Sequence, residues 1–94
     1  MSAYLIGHMT VRDTALWDEY RARVPDTLGP FGGEVLFRGR RRAVLAGEHD
    51  HPDAVVIRFP DAAALDAWFA SEAYQALIPV RERAADMVLV SYDA

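Results

Sequence analysis

Residues 53–62 read DAVVIRFPDA. Val55, Val56, Ile57 and Phe59 make a near-continuous apolar run with the composition of a buried β-strand, placed at Ala54 to Phe59. Pro60 closes it, and Asp61 stands where a carboxylate can accept the orphan amide protons of a helix that begins at once. A strand that passes directly into a helix is half of a β-α-β unit. Arg58 is the discordant residue, a guanidinium one step before the end of an otherwise apolar strand.

The same grammar extends outward in both directions. Downstream, Leu65, Trp68 and Phe69 form the apolar stripe of the helix that Asp61 caps. Ser71 offers a fresh cap, which makes SEAYQAL a separate short helix, and DMVLVSY (86–92) is the last strand. Upstream, AYLIGHMTV (3–11) is the first strand, and Asp13 caps a helix that starts at Thr14. Leu16, Trp17, Tyr20 and Val24 recur on one side of that helix, with Asp18, Glu19, Arg21 and Arg23 mostly on the other. Pro25 is expected to kink or end it, and LGPFGG (28–33) is turn chemistry. EVLFRG is the second strand. RGRRR interrupts it and AVLAG resumes extended apolar character, which reads as one bulged strand or a long hairpin arm before the polar loop EHDHPD. The order β-α-β-β-α-β predicts an α+β, ferredoxin-like domain, a four-stranded antiparallel sheet with helices on one face, spanning residues 1–94 as a single domain.

The totals bound what such a domain can do. A chain of 94 residues buries roughly 65% of its unfolded surface. The net charge of −4 suits neither nucleic acid nor other polyanions. Cysteine is absent, which removes disulfides, a thiolate nucleophile and cysteine–zinc sites. The first residues lack the basic segment of a secretory leader, and no stretch reaches the roughly 18 apolar residues a membrane span needs. The expectation is a soluble, cytoplasmic protein without a membrane partner.

An antiparallel sheet with helices on one face only should alternate apolar with polar. Here Val55, Ile57 and Phe59 oppose Val56 and Arg58; Met87 and Leu89 oppose Val88, Val90 and Tyr92; Leu5, Met9 and Val11 oppose Tyr4, Ile6, His8 and Thr10. Both faces are apolar. An uncovered apolar face marks an interaction surface, and a two-fold homodimer joined through the open sheet face closes a barrel between subunits. Arg58 then faces the partner beside Val56, and His8 is assigned to the same face.

YLIGHMTV, YRARVPDTLGPFGG, the RG after strand two, LAGE, VVIRFPD and AWFASEAYQ together resemble the family named domain of unknown function 1330. The resemblance covers nearly the whole chain and is densest over Val24 to Gly39 and Val55 to Gln75. It implies a dimeric α/β barrel, in a superfamily that includes cofactor-free monooxygenases, haem-degrading enzymes and muconolactone-isomerase-like proteins. It implies no particular reaction. Where the family often carries an acid between leucine and glycine, this chain has Ala46.

Four residues are the candidates for chemistry. His8 can move a proton near neutral pH, and Arg58 can hold a carboxylate or stabilise an enolate; both could equally be satisfied groups on a dimer seam. Tyr20 could direct a phenol into a cleft between helix and sheet, or be core with its hydroxyl at water. Arg38, followed by Gly39, could meet a ligand at a bulge, or form a salt bridge. Trp17, Trp68, Phe69 and Tyr74 read as helix-to-sheet packing. The run Arg40–Arg42 has no interleaved aromatic and suits a solvated strand edge better than nucleic acid. Glu48, His49, Asp50, His51 and Asp53 offer metal-ligand types without ligand spacing, so no metal site and no cofactor are expected. The reading is a small-molecule enzyme of the cofactor-free type, acting by proton transfer, isomerisation or oxygenation, with a pocket in or beside the dimer barrel. The alternative is a non-catalytic binding or stress-response dimer that captures a small apolar or anionic ligand.

Overall fold

The computed structural model describes residues 1–94. β1 (Ala3–Val11) leads into α1 (Thr14–Leu28), a single 3-10 turn (Gly29–Phe31) and β2 (Glu34–Arg40). β3 (Asp53–Phe59), α2 (Ala62–Ala70), α3 (Glu72–Gln75), α4 (Ile78–Ala84) and β4 (Ala85–Asp93) follow. The sheet order is β2-β3-β1-β4, with every neighbouring pair antiparallel. This is the ferredoxin-like arrangement, with β1 and β3 central and β2 and β4 at the edges.

The local signals act as the sequence leads one to expect. The Asp13 carboxylate accepts from Leu16 N and opens α1. The Asp61 carboxylate accepts from Ala64 N and opens α2. The Ser71 hydroxyl accepts from Tyr74 N, so α3 is a separate helix. The core lies between helices and sheet. Leu5, Met9, Ile57 and Phe59 meet Val24, Leu28, Leu65, Trp68 and Leu77, all nearly inaccessible to water.

Three local expectations need correction, and the structure adds one further helix. Pro25 does not end α1, which continues to Leu28. Beyond the proline, Thr27 and Leu28 are buried. The Thr27 hydroxyl donates to Val24 O at 2.7 Å and accepts from the Trp68 indole at 2.9 Å. Tertiary contacts therefore hold the last turn in place of the hydrogen bond that proline cannot donate. AVLAG is not a strand: β2 stops at Arg40, opposite Asp53, the first residue of β3. β3 begins only at Asp53, so it offers no continuing partner to residues 43–47. α4, which no sequence signal above marks, is started by Pro79 in its first turn, where a missing N–H costs nothing. Phe69 is half-exposed rather than core.

The 3-10 turn closes on Gly32, at φ 70°, and Gly33 lies under the core. A Cβ on Gly33 would fall 2.8 Å from Leu28 Cδ2 and 2.9 Å from Phe59 Cε1, the latter in a fully buried ring. Gly29 has helical φ, and a Cβ added there would meet nothing within 4 Å. Gly33→Ala is therefore expected to lower stability by about 1–3 kcal/mol. Gly29→Ala should be neutral or stabilising by up to about 1 kcal/mol. Urea denaturation of the two single variants beside the parent checks both values.

Candidate functional site

β2 carries one extra residue. Val35 is opposite Ile57 and Phe37 is opposite Val56, so Leu36 forms a bulge. In an unbroken strand Phe37 would share the face of Val35 and Arg38 would point away. The bulge inverts this. Arg38 is paired with Val55 on the helix-covered side, and Phe37 goes to the open face, where it is 54% exposed.

Under α1, on that helix-covered side, lies a cavity of about 560 Å³. Its walls are mostly apolar: Trp17, Tyr20 and Val24 from α1, and Leu5, Met9, Val55, Met87 and Leu89 from the sheet. Gly7 contributes no side chain, and Met87, Leu89 and Val55 close over the gap. Arg38 lines the cavity beside β2, with Arg21 and Arg40 also in the wall. Arg21 has Asp18 at 3.8 Å and Arg40 has Asp53 at 3.8 Å. Arg38 alone of the three has no carboxylate partner. Burial lowers its pKa, Arg21 lowers it further, and the Tyr20 phenol offsets part of this. It stays a cation throughout the physiological range.

Tyr20 is 5% exposed. Its hydroxyl is 2.9 Å from that of Tyr74, which accepts from Arg81 Nη1 at 2.9 Å. Burial raises the Tyr20 pKa well above the ordinary phenol, the Tyr74 hydroxyl beside it adds to this, and Arg81 and Arg38 pull it partly back. Tyr20 is therefore neutral and carries its proton. Tyr20 and Arg38, separate candidates in the sequence, line the same cavity.

His8 and Arg58 are on the other face of the sheet and apart from each other. Arg58 pairs with Tyr4 and His8 with Ala54, four residues further along β1, or about 13 Å of strand. The two do not share a pocket: alternation puts both on one face, as expected, but at opposite ends of it. Arg58 Nε donates to Ser2 Oγ at 3.3 Å, and its guanidinium is 4.0 Å from Glu34, its cross-strand neighbour in β2. That carboxylate is the partner Arg58 requires. His8 lines a separate hollow with His49, His51, Glu48, Asp50 and Val88. Its ring meets the edge of His49 at 4.4 Å between centroids, and His51 Nδ1 is 2.9 Å from Thr10 Oγ1. No set of three ligand-type side chains there has the geometry to hold a metal ion.

Tyr74 and Arg81 are the functional candidates that sequence reasoning misses. Tyr74 is aromatic on a short apolar helix, which suggests packing alone. No spacing announces the pair, since Arg81 lies on a different helix and only the packing of α3 against α4 brings it to the Tyr74 hydroxyl.

With the geometry in hand, comparison with known proteins fixes the fold's kinship. None of the curated proteins matches this chain. A protein of unknown function from Rhodopseudomonas palustris superposes with a TM-score of 0.83 at 15% identity, covering 99% of this chain and 82% of that one. SnoaB, a cofactor-independent oxygenase from Streptomyces nogalater, superposes with a TM-score of 0.72 at 13% identity, covering 99% and 92%. A dimeric ferredoxin-like protein of unknown function from Jannaschia sp. CCS1 superposes with a TM-score of 0.71 at 16% identity over 100% of both chains. At these identities the likeness establishes the fold. The family described as Domain of unknown function (DUF1330) matches residues 2–93, and the chain belongs to it.

Proposed function

We propose that this protein is a cofactor-free enzyme acting on an apolar small molecule that bears a carbonyl or carboxylate oxygen, in the cavity between α1 and the sheet. The observation that carries this reading is Arg38, a partly exposed cation without a carboxylate partner in the wall of a mostly apolar cavity. A guanidinium in such surroundings stabilises negative charge on a bound oxygen more strongly than it would in water. The reaction is proton removal from the carbon next to a carbonyl, the step that isomerisation and oxygenation share. Arg38 and Tyr20 hold the enolate oxygen, and Asp18 or Asp53, the carboxylates in the lining, takes the proton. The cofactor-independent activity named for the Streptomyces relative supports this class of chemistry. His8 and Arg58 do not touch this cavity.

The protein works as a homodimer through its open sheet face. No helix covers that face, and Val88, Val90, Tyr92 and Phe37 are each between 38% and 54% exposed on it, beside half-buried Ile6 and Val56. A second copy covers this surface with like against like, and the dimeric Jannaschia relative supports that assembly. Arg58 and Glu34 then lie at the edge of the interface as a matched pair. The His8 cluster lies on the same face, with His49, His51 and Thr10 around it and Glu48 and Asp50 facing it from the loop. Burial first, then His49 and His51, lowers the His8 pKa below 6.5. The folded chain therefore binds fewer protons at this cluster than the unfolded one, and its stability falls as pH drops from 6.5 through the lowered value.

Three experiments test these readings. In D₂O the protein should accelerate exchange of the C1 protons of 2-tetralone, followed by NMR. Arg38→Met should reduce that rate by about tenfold or more, the loss of one charge-assisted hydrogen bond. Equal rates with and without protein would refute the enzymatic reading. Sedimentation velocity should show a dimer near neutral pH, and urea denaturation should give a lower midpoint at about pH 5.5 than at neutral pH. Val90→Lys should sediment as a folded monomer near neutral pH. A parent protein that is monomeric at neutral pH would refute the dimer.

A further inference from the structure

We propose that Tyr74 and Arg81 fix the direction of the Tyr20 hydroxyl, making it a one-way hydrogen-bond donor into the cavity, so that the site selects ligands by an acceptor oxygen: a ketone, an enolate or a carboxylate. The inference rests on the cavity being the ligand site and adds the chemistry by which it chooses.

The direction follows from what each group can do. A guanidinium only donates, so Arg81 Nη1 gives its proton to the Tyr74 oxygen at 2.9 Å. Tyr74 is fully buried, and its own proton needs an acceptor. Apart from Arg81, its hydroxyl has one polar neighbour, the Tyr20 oxygen at 2.9 Å. Were Tyr20 the donor instead, the Tyr74 proton would be stranded in the core, the costly arrangement for a buried polar group. Tyr74 therefore donates and Tyr20 accepts. The Tyr20 proton then has no acceptor on the protein. Tyr20 is itself buried and forms part of the cavity wall, so that proton is available to whatever occupies the cavity. The phenol keeps its proton because burial opposes ionisation. Each bond in the row Arg81–Tyr74–Tyr20 also polarises the next, which strengthens the last donor. Arg38 stands in the same wall, and its charge reaches the Tyr20 oxygen. An acceptor oxygen between them meets a neutral donor and a cation together.

Tyr74 and Arg81 are positioning residues here. They touch no ligand, and a purely packing role for them would leave the electronic state of a bound carbonyl unchanged. The test is the infrared carbonyl stretch of ¹³C=O-labelled 2-tetralone bound to the intact protein, with tetralin as the matching skeleton without an acceptor. In the parent the band should sit at lower wavenumber than for the free ketone in an aprotic solvent. Tyr20→Phe should move it up and weaken 2-tetralone binding about five- to tenfold, while tetralin binding is unchanged. Tyr74→Phe, which keeps the ring and the packing, should move the band part of the way. Should Tyr20→Phe fail to fold by near-ultraviolet circular dichroism, the Tyr74→Phe spectrum decides. A band that stays in place in the folded variants while 2-tetralone still binds overturns the inference and leaves the cavity as a ligand site. Failure of both 2-tetralone and tetralin to bind the parent removes the cavity reading, and this inference with it.

Discussion

The arrangement of this protein turns on one extra residue in an edge strand. A strand sends alternate side chains to opposite faces, so a one-residue insertion exchanges every position beyond it. Leu36 is that insertion. It takes Phe37 out of the space below α1 and puts Arg38 there instead. A phenylalanine in that place would add one more apolar ring to the wall. With an arginine reaching in from the edge, it is a cavity with one unneutralised charge in its wall. The same inversion adds an aromatic ring to the open face, beside Val56. One bulge therefore serves both the proposed ligand site and the proposed dimer surface.

The helical layer is organised around polar groups as much as apolar ones. Trp68 is almost fully buried, and its indole N–H would be orphaned without Thr27, whose hydroxyl in turn bonds Val24 O. The Tyr20–Tyr74 contact ties α1 to α3, and Arg81 extends it to α4. These bridges fix how the short helices lie against α1, and no buried side-chain nitrogen or oxygen lacks a partner. α3 and α4 are too short to hold together by propensity alone. Their order comes from Tyr74, Leu77 and Ala84, which are buried to within 1% of complete coverage.

Much of the fold is legible in the sequence because its signals are local. Asp13, Asp61 and Ser71 cap the helices that their positions predict, since an N-cap depends only on the next three residues. The alternation in β1, β3 and β4 sorts core from open face correctly, because those three strands pair without a break. The errors lie where a distant partner decides. Helix α1 outlasts Pro25 because Trp68 and Thr27 meet, 41 residues apart in the chain. AVLAG is extended in composition, yet β3 begins only at Asp53 and gives it no strand to continue against. Tyr20 and Arg38 stand out as candidates one at a time; that they share a wall depends on a bulge no local pattern announces. Tyr74 reads as packing, which it is, and its hydroxyl is invisible to any argument from hydrophobic period.

Arg58 and Arg38 show how far residue type is from role. Both are arginines in adjacent strands, each among apolar neighbours. Arg58 faces Glu34 directly across the ladder, with Ser2 beside it, so its charge is answered within the chain. A half-exposed pair of this kind adds little stability, about 1 kcal/mol or less, and presents no unsatisfied field to a ligand. Arg38 has Val55 opposite, Gly39 after it and Arg21 nearby, so nothing answers its charge and a second cation sharpens it. The first arrangement consumes the guanidinium; the second leaves it available. What distinguishes a candidate site from a structural ion pair is thus the company the strand register imposes, and here the register places the unanswered cation against the cavity and the answered one on the face a second copy would cover.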